Sequence, residues 1–180
     1  MIDYKLLTFS CVPYSGEKWM IKAAQLAGFG PAFWHQAHSP FPDKRGADEF
    51  RVTSVRNPFD WLWSAYQEHK QGRLNGYTGK ISLLMADSFD EFVYRYLGET
   101  PGEITRLWKQ YEADTCLRIE DQPRAFVELL EMLGVPDQFV QILRGIPRPS
   151  NVIVGPYRDP SLRRIVMQAE EEFCDALDYF

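Results

Sequence analysis

The stretch "LLTFSCVPYSGEKWMIKAAQLAGF", residues 6–29, decides the fold. Its first part is a short apolar run that ends at Pro13, which is typical of a buried strand bounded by a turn. The part "KWMIKAAQLAGF" places apolar side chains near helical spacing and ends at a glycine. The sequence therefore predicts a strand, a short loop around Ser15 and Gly16, and a helix.

The same order of elements recurs along the chain. The segment 49–56 reads as a second strand, and the helix after it starts with Asn57 as its N-cap and Pro58 as its first residue. A third strand, 114–119, is followed by the helical pattern "EDQPRAFVELLEMLGV". Two further helices are predicted, over 88–98 and over the C-terminal residues 159–180. Alternating strands and helices indicate an α/β fold, with a central parallel sheet and helices on both faces.

Helical periodicity also predicts which side chains are buried. The helix after Asn57 is expected to bury the four apolar residues at its i, i+3, i+4 and i+7 positions, namely Phe59, Leu62, Trp63 and Tyr66. The C-terminal helix is expected to pack inward through Leu162, Ile165, Val166, Ala169, Phe173 and Leu177.

Composition excludes several classes of protein. With 180 residues, the chain is expected to form one domain, residues 1–180. A net charge of −5 argues against a nucleic-acid or membrane-surface binder, so any anion site must be local. Three cysteines without C-x-x-C spacing suggest neither a disulfide framework nor a structural zinc site. The absence of a targeting segment or a long apolar run predicts a cytoplasmic protein without a membrane span.

The first loop has the composition of an anion site. Small residues at 15 and 16, between a strand and a helix, allow several backbone amides to point at one anion, and Lys18 can add a full charge. Glycine and serine also form ordinary tight turns, which is the alternative interpretation. The loop lacks the G-x-x-x-x-G-K-[ST] spacing of a Walker A motif.

A second candidate anchor follows the second strand. Arg56 comes at its carboxyl end, and Ser64 lies roughly 10 Å along the next helix from the N-cap. A guanidinium group suits a phosphate, and a serine hydroxyl can complete the contact. Two anion anchors predict a ligand with two anionic ends.

In these motifs the sequence resembles the 3′-phosphoadenylyl sulfate (PAPS)-dependent sulfotransferases, as a small bacterial or phage-like member. The family's Pro-Lys-Ser-Gly-Thr-Thr-Trp is similar to Pro13-Tyr-Ser-Gly-Glu-Lys-Trp19. Its Arg-Asn-Pro-x-Asp-x-x-x-Ser is matched at Arg56, Asn57, Pro58, Asp60 and Ser64. Its Tyr-Glu-Asp, followed by a helix that ends in Leu-Gly, resembles Ile119-Glu120-Asp121 and Leu133-Gly134. The resemblance implies a P-loop nucleotide-kinase-like, three-layer fold.

The resemblance also implies roles for the residues at matching positions. The 5′-phosphosulfate of the donor would be held by the loop and first helical turn, and the 3′-phosphate by Arg56 and Ser64. The loop residues carried over are Tyr14, Ser15, Gly16, Glu17, Lys18 and Trp19, with Trp19 also beside the adenine. Tyr14 replaces the family's lysine, which neutralises charge on the leaving oxygen, and Lys18 is a candidate substitute. Ile119 replaces the family's tyrosine and leaves an apolar wall for the base.

A general base is required by the implied reaction. Family members keep a histidine in Lys-x-His-x-Pro, and His38-Ser39-Pro40 stands in that place, with Gln36 instead of the lysine. A histidine suits this role because its pKa lies near working pH. His35 is the rival base, and a solvated loop histidine is the structural alternative. Two late arginines, Arg144 and Arg148, are candidates for a cationic arm over the nucleotide.

The implied function is transfer of a sulfuryl group from PAPS to the hydroxyl or amine of a small molecule, a glycan or another acceptor. Adenosine 3′,5′-bisphosphate (PAP) is the product, and no metal is implied. The acceptor site is expected to be open, shared with a second subunit of a homodimer, or formed by the glycine-rich loop 72–80. The altered first loop favours an alternative, a PAP- or PAPS-binding protein that has lost transfer. A small ATP-dependent kinase is disfavoured by the missing Walker lysine.

Overall fold

The computed structural model describes residues 7–26, 34–37, 40, 41, 49–72, 81, 84, 86–147 and 159–180. They belong to two compact units. The first unit spans 1–55 and 111–152, and the second spans 56–110 and 153–180.

A parallel sheet of four strands forms the centre of the first unit. Its strands are β1 (Leu7–Cys11), β2 (Trp34–Ala37), β3 (Phe50–Val55) and β4 (Thr115–Arg118). Their order in the sheet is β2-β1-β3-β4. The strand neighbours are all parallel, so every strand ends at the same edge of the sheet. The predicted α/β class with a central parallel sheet is therefore confirmed.

One face of this sheet carries the hydrophobic core of the first unit. The helices of this unit are α1 (Glu17–Leu26), α5 (Arg124–Met132) and α6 (Asp137–Arg144). Phe9 of β1, Val52 of β3 and Leu117 of β4 belong to one buried cluster with Met20 of α1 and Phe126 of α5. Fully burying side chains of this size stabilises a fold by roughly 1.5–3 kcal/mol each, so these contacts fix α1 and α5 against the ends of β1 and β4.

The second unit is helical. Its helices are α2 (Pro58–Lys70), α3 (Phe89–Glu99), α4 (Glu103–Trp108), α7 (Pro160–Ala169) and α8 (Glu171–Ala176). The predicted caps are present: the side chain of Asn57 accepts a hydrogen bond from Phe59 N, and Ser88 accepts one from Glu91 N. Each cap satisfies a backbone donor that the first turn of a helix leaves without a partner. The caps therefore fix where α2 and α3 begin.

Several predictions about elements and burial are wrong. The C-terminal helix is divided at Glu170, which caps α7 and precedes α8, because its backbone leaves the helical region (φ −113°, ψ 29°). Ile165 of α7 is 43% exposed. In α2, Trp63 is only half-buried, although the periodicity of apolar residues placed it on the buried face.

Three elements were not predicted at all. They are β2, α4 and α6. Each is short, between four and eight residues, so its sequence offers too few repeats for a period to be recognised.

Candidate functional site

The loop after β1 is a tight turn attached to the neighbouring strand. Val12 N donates a hydrogen bond to the carbonyl oxygen of Ser54 in β3 (3.3 Å), and Ser15 N donates to the carbonyl oxygen of Val12 (3.1 Å). Tyr14 and Gly16 both have left-handed backbone angles, with φ of 64° and 84°. A left-handed tyrosine is strained, and such strain persists only where the surrounding structure enforces it. The loop therefore has a defined, preorganised conformation.

Gly16 is required by the side chain that lies against it. A Cβ atom at this position would be 2.2 Å from Cδ1 of Ile119, far inside van der Waals contact. Ile119 is 2% exposed and begins a short 3-10 helix, Ile119–Asp121, directly after β4. The loop and the end of β4 are therefore in contact, and the residue at the position of the family's tyrosine packs on the loop backbone. Its predicted role as a wall for the adenine remains a prediction.

Ser15 lies at the centre of this loop and is fully buried. Among the described residues, its hydroxyl oxygen has no hydrogen-bond partner. A buried hydroxyl without a partner costs roughly 1–3 kcal/mol, so such groups are rare in folded proteins. A ligand oxygen at this position would satisfy it.

The first turn of α1 follows this loop directly. The carbonyl oxygen of Gly16 accepts hydrogen bonds from Trp19 N (3.0 Å) and Met20 N (3.2 Å). Lys18 is exposed, and the side chain of Glu17 lies outside the described part of the structure. The indole N–H of Trp19 donates to the carbonyl oxygen of Pro147 (3.0 Å), and the ring packs against the hydrophobic core. The Trp19 donor is thus used within the protein, which leaves only the ring face for the predicted contact with adenine.

The second predicted anchor is a hydrogen-bonded pair. Nη1 of Arg56 donates to the hydroxyl oxygen of Ser64 at 2.7 Å, and Arg56 is only 6% exposed. Arg56 directly precedes Asn57, which caps α2, so the start of this helix determines where the guanidinium lies. A buried guanidinium keeps its charge, and one of the five donors that an arginine carries here bonds to Ser64. Binding of a phosphate by this pair remains a prediction.

The structure brings the predicted site residues together in two groups. Ser15, Gly16 and the first turn of α1 belong to the first unit, together with Ile119. Arg56 and Ser64 belong to the second unit.

Other predicted residues lie partly or wholly beyond what the structure describes. His38, Arg148 and residues 73–80 of the glycine-rich loop lie outside the described residues. His35 belongs to β2, and its side chain is not among the described ones. Arg144 forms an ion pair with Glu131, which holds it on the surface between α5 and α6. The roles of these residues therefore remain predictions.

A shallow depression in the second unit, of about 460 Å³, lies at the end of α2. It is lined by His69, Lys70, Ala86, Asp87, Glu91 and Arg95. Two of its charges are already paired, because Arg95 forms an ion pair with Glu91. The pKa of Glu91 is lowered by the backbone N–H of Asp87 and by Arg95. This mixture of charges does not indicate one class of ligand.

Among the buried polar residues that sequence reasoning missed, Ser54 and Glu170 have the most unusual environments. Ser54 of β3 is fully buried, and its hydroxyl has no partner within the described part of the chain. Glu170 is 1% exposed. Burial raises its pKa to about 7, although hydrogen bonds from backbone N–H groups, chiefly that of Thr105, lower it. The only available signal for Ser54 was a serine inside an otherwise buried strand. Glu170 stands in a run of three glutamates, which reads as a solvated helix face.

Within the described ranges, no helix is both long and apolar enough to cross a membrane. The same residues contain no cluster of three or more His, Cys, Asp or Glu side chains that could hold a metal ion.

Comparison with known proteins gives a likeness of fold. Models of protein families give no match to the chain, and neither does a comparison of its sequence with curated proteins. Among solved structures, the crystal structure of the mouse sulfotransferase SULT7A1 complexed with PAP is similar, with a TM-score of 0.58 and 13% identity. The alignment covers 93% of this chain and 84% of that one. The chain therefore has a sulfotransferase-like fold, as the motifs predicted.

Proposed function

We propose that this protein binds PAPS and transfers its sulfuryl group to the hydroxyl or amine of an acceptor. The observation that carries the proposal is the buried hydroxyl of Ser15, without a partner among the described residues, at the centre of a strand–loop–helix turn. This is the position at which α/β folds bind anionic groups. The likeness in fold to a sulfotransferase complexed with PAP supports the same function.

The two anchors suit the two anionic ends of PAPS. The loop offers the Ser15 hydroxyl, backbone amides at the start of α1 and the charge of Lys18 for the 5′-phosphosulfate. Arg56 and Ser64 offer a charge-assisted contact for the 3′-phosphate, and their mutual hydrogen bond of 2.7 Å supports contact of one phosphate oxygen with both side chains. Recognition of the 3′-phosphate would distinguish PAPS from ATP.

The proposed chemistry is an in-line displacement at sulfur. The acceptor oxygen or nitrogen forms a bond to sulfur while the bond from sulfur to the bridging phosphate oxygen breaks, and PAP leaves with that electron pair. Lys18 is proposed to stabilise the negative charge that develops on the bridging oxygen. His38, or its rival His35, is proposed to take the proton of the acceptor.

The donor assignment is tested by calorimetric titration with PAP and with AMP, which lacks the 3′-phosphate. Arg56→Ala should weaken PAP binding by about 2 kcal/mol or more, and Ser64→Ala by about 1 kcal/mol, with little change for AMP. Arg95→Ala serves as a control, because Arg95 pairs with Glu91 on the exposed face of α3. Equal losses for the two nucleotides would show that Arg56 does not recognise the 3′-phosphate.

A binding protein that no longer catalyses transfer is the second candidate. The altered loop favours it, because Tyr14 stands in place of the family's lysine and adopts a strained left-handed conformation. Turnover of radiolabelled PAPS with a panel of hydroxyl and amine acceptors distinguishes the two functions. Activity that falls roughly a hundredfold in Lys18→Ala would support the enzyme. The binding protein would be supported if the wild type binds PAP tightly without turnover and only the Tyr14→Lys variant transfers the sulfuryl group.

A further inference from the structure

Ser54 has the same unusual environment as Ser15. Ser54 is fully buried in β3, and its hydroxyl oxygen has no hydrogen-bond partner among the residues that the structure describes. A buried serine in a strand normally bonds to a nearby backbone group, since leaving it without a partner is unfavourable. Thr53 shares this feature, so the face of the sheet to which each side chain points decides which hydroxyls can contact one ligand.

The register of the sheet shows which way Ser54 faces. Ser54 pairs with Cys11 of β1 and with Leu117 of β4. Paired residues on neighbouring strands point to the same face, and both Cys11 and Leu117 belong to the core cluster that includes Met20 of α1. Ser54 therefore faces the side of the sheet to which the chain turns when it leaves β1 and enters α1. Thr53, the preceding residue, faces the opposite side.

The backbone of Ser54 also contacts the loop directly. Its carbonyl oxygen accepts the hydrogen bond from Val12 N (3.3 Å), the first residue after β1. The carbonyl oxygen of Val12 in turn accepts from Ser15 N (3.1 Å). Ser54 and Ser15 are thus joined through two consecutive backbone hydrogen bonds, at the edge of the sheet where the strands end.

We propose that the Ser54 hydroxyl is a second buried donor of the anion site and that, with Ser15, it hydrogen-bonds the group held by the loop. That group is the 5′-phosphate of PAP or the phosphosulfate of PAPS, so the inference rests on the proposed function. Ligand binding then satisfies two hydroxyls that have no partner among the described residues. Ser54 is a binding residue and takes no part in proton transfer.

The test uses titration of wild type, Ser54→Ala and Thr53→Val with two nucleotides, PAP and adenosine 3′-monophosphate, which lacks the 5′-phosphate. Ser54→Ala should weaken PAP binding about tenfold and leave the 3′-monophosphate unchanged. Thr53→Val is the matched control, because Thr53 is also fully buried with a hydroxyl lacking a described partner but lies on the other face. Its affinity for PAP should stay within about twofold of wild type.

Thermal unfolding of the ligand-free proteins completes the test. Ser54→Ala should not lower Tm, because it removes a polar group that has no partner in the described structure. Unchanged PAP affinity in Ser54→Ala, or an equal loss for both nucleotides, would overturn the role of Ser54 and leave the proposed function intact. A wild type that fails to bind PAP would instead overturn the proposed function, and the Ser54 assignment with it.

Discussion

In the helical unit, the Glu170 carboxylate is 1% exposed and accepts hydrogen bonds from the Tyr96 hydroxyl, from Thr105 N (2.7 Å) and from the Thr105 hydroxyl. In the sheet unit, Ser15 and Ser54 are just as buried, but their hydroxyls have no partner among the described residues. Both arrangements place polar atoms away from water. Only the first supplies the partners that compensate for desolvation.

The difference separates a structural polar cluster from a binding site. Glu170 connects four helices, because it lies between α7 and α8 and bonds to residues of α3 and α4. The hydroxyls of Ser15 and Ser54 make no such connection among the described residues. We therefore expect substitutions at Glu170 to change folding stability and substitutions at the loop to change ligand affinity.

The largest effect is expected for Glu170→Ala. This substitution leaves the buried Tyr96 hydroxyl and the Thr105 donors without their acceptor, which should lower the free energy of unfolding by about 4 kcal/mol. Urea denaturation at pH 5 measures it. Glu172→Ala is the matched control, since Glu172 pairs with Lys109 on the exposed surface, where an ion pair contributes about 1 kcal/mol or less. Similar losses in both variants would contradict the special role of Glu170.

The stability of the protein should also depend on pH through Glu170. Burial raises its pKa from about 4.5 to about 7 in the folded state. Between these values the folded state holds a proton that the unfolded state has lost, so the stabilisation is complete below about pH 4.5 and is lost as pH rises through 7.

This pH dependence is isolated by comparison with Glu170→Gln, which cannot titrate. The stability of wild type relative to this variant should fall by at most about 3 kcal/mol between pH 4 and pH 8. Cys174, buried near Glu170, should not contribute to this pH dependence. Burial raises its pKa to about 12, and the charges of Glu170 and Asp175 raise it by smaller amounts. A difference that is constant over this range would show that Glu170 titrates normally.

A smaller loss of stability is expected for Gly16→Ala, about 2 kcal/mol, together with loss of PAP binding. The new methyl group meets Ile119 at 2.2 Å, and alanine disfavours a φ of 84°. Gly134→Ala separates the steric contact from the backbone strain, because Gly134 has a φ of 72° but would have nothing within 4 Å of an added Cβ atom. That variant should lose only about 1 kcal/mol, from backbone strain alone. Equal losses would mean that Ile119 moves aside without cost.

The smallest effect on stability is expected for Ser15→Ala. Its free energy of unfolding should stay within about 0.5 kcal/mol of wild type, while PAP binding weakens by about 1 kcal/mol. Chemical denaturation and calorimetry on the same samples give both values. A clear loss of stability with unchanged affinity would place Ser15 with Glu170 as a structural polar group.

Local patterns predicted most of the regular elements. The strand–loop–helix turn at β1, the caps Asn57 and Ser88, and the third strand all follow from residues within a few positions of one another. The break at Glu170 was missed, because the residues around it have a helical pattern. The hydrogen bonds that Glu170 accepts come from residues far away in the sequence, which that pattern does not include.

The sequence by itself determined the α/β class and indicated the two candidate anchors, whose roles remain predictions. The hydrogen bond between Arg56 and Ser64 is known only from the structure. Tertiary structure alone decided that Ile119 packs on Gly16, that Ser54 lies on the sheet face of the core cluster and that Glu170 is buried. These features join residues far apart in the chain. Burial and hydrogen-bond satisfaction depend on which elements finally pack together, and a linear pattern does not contain that information.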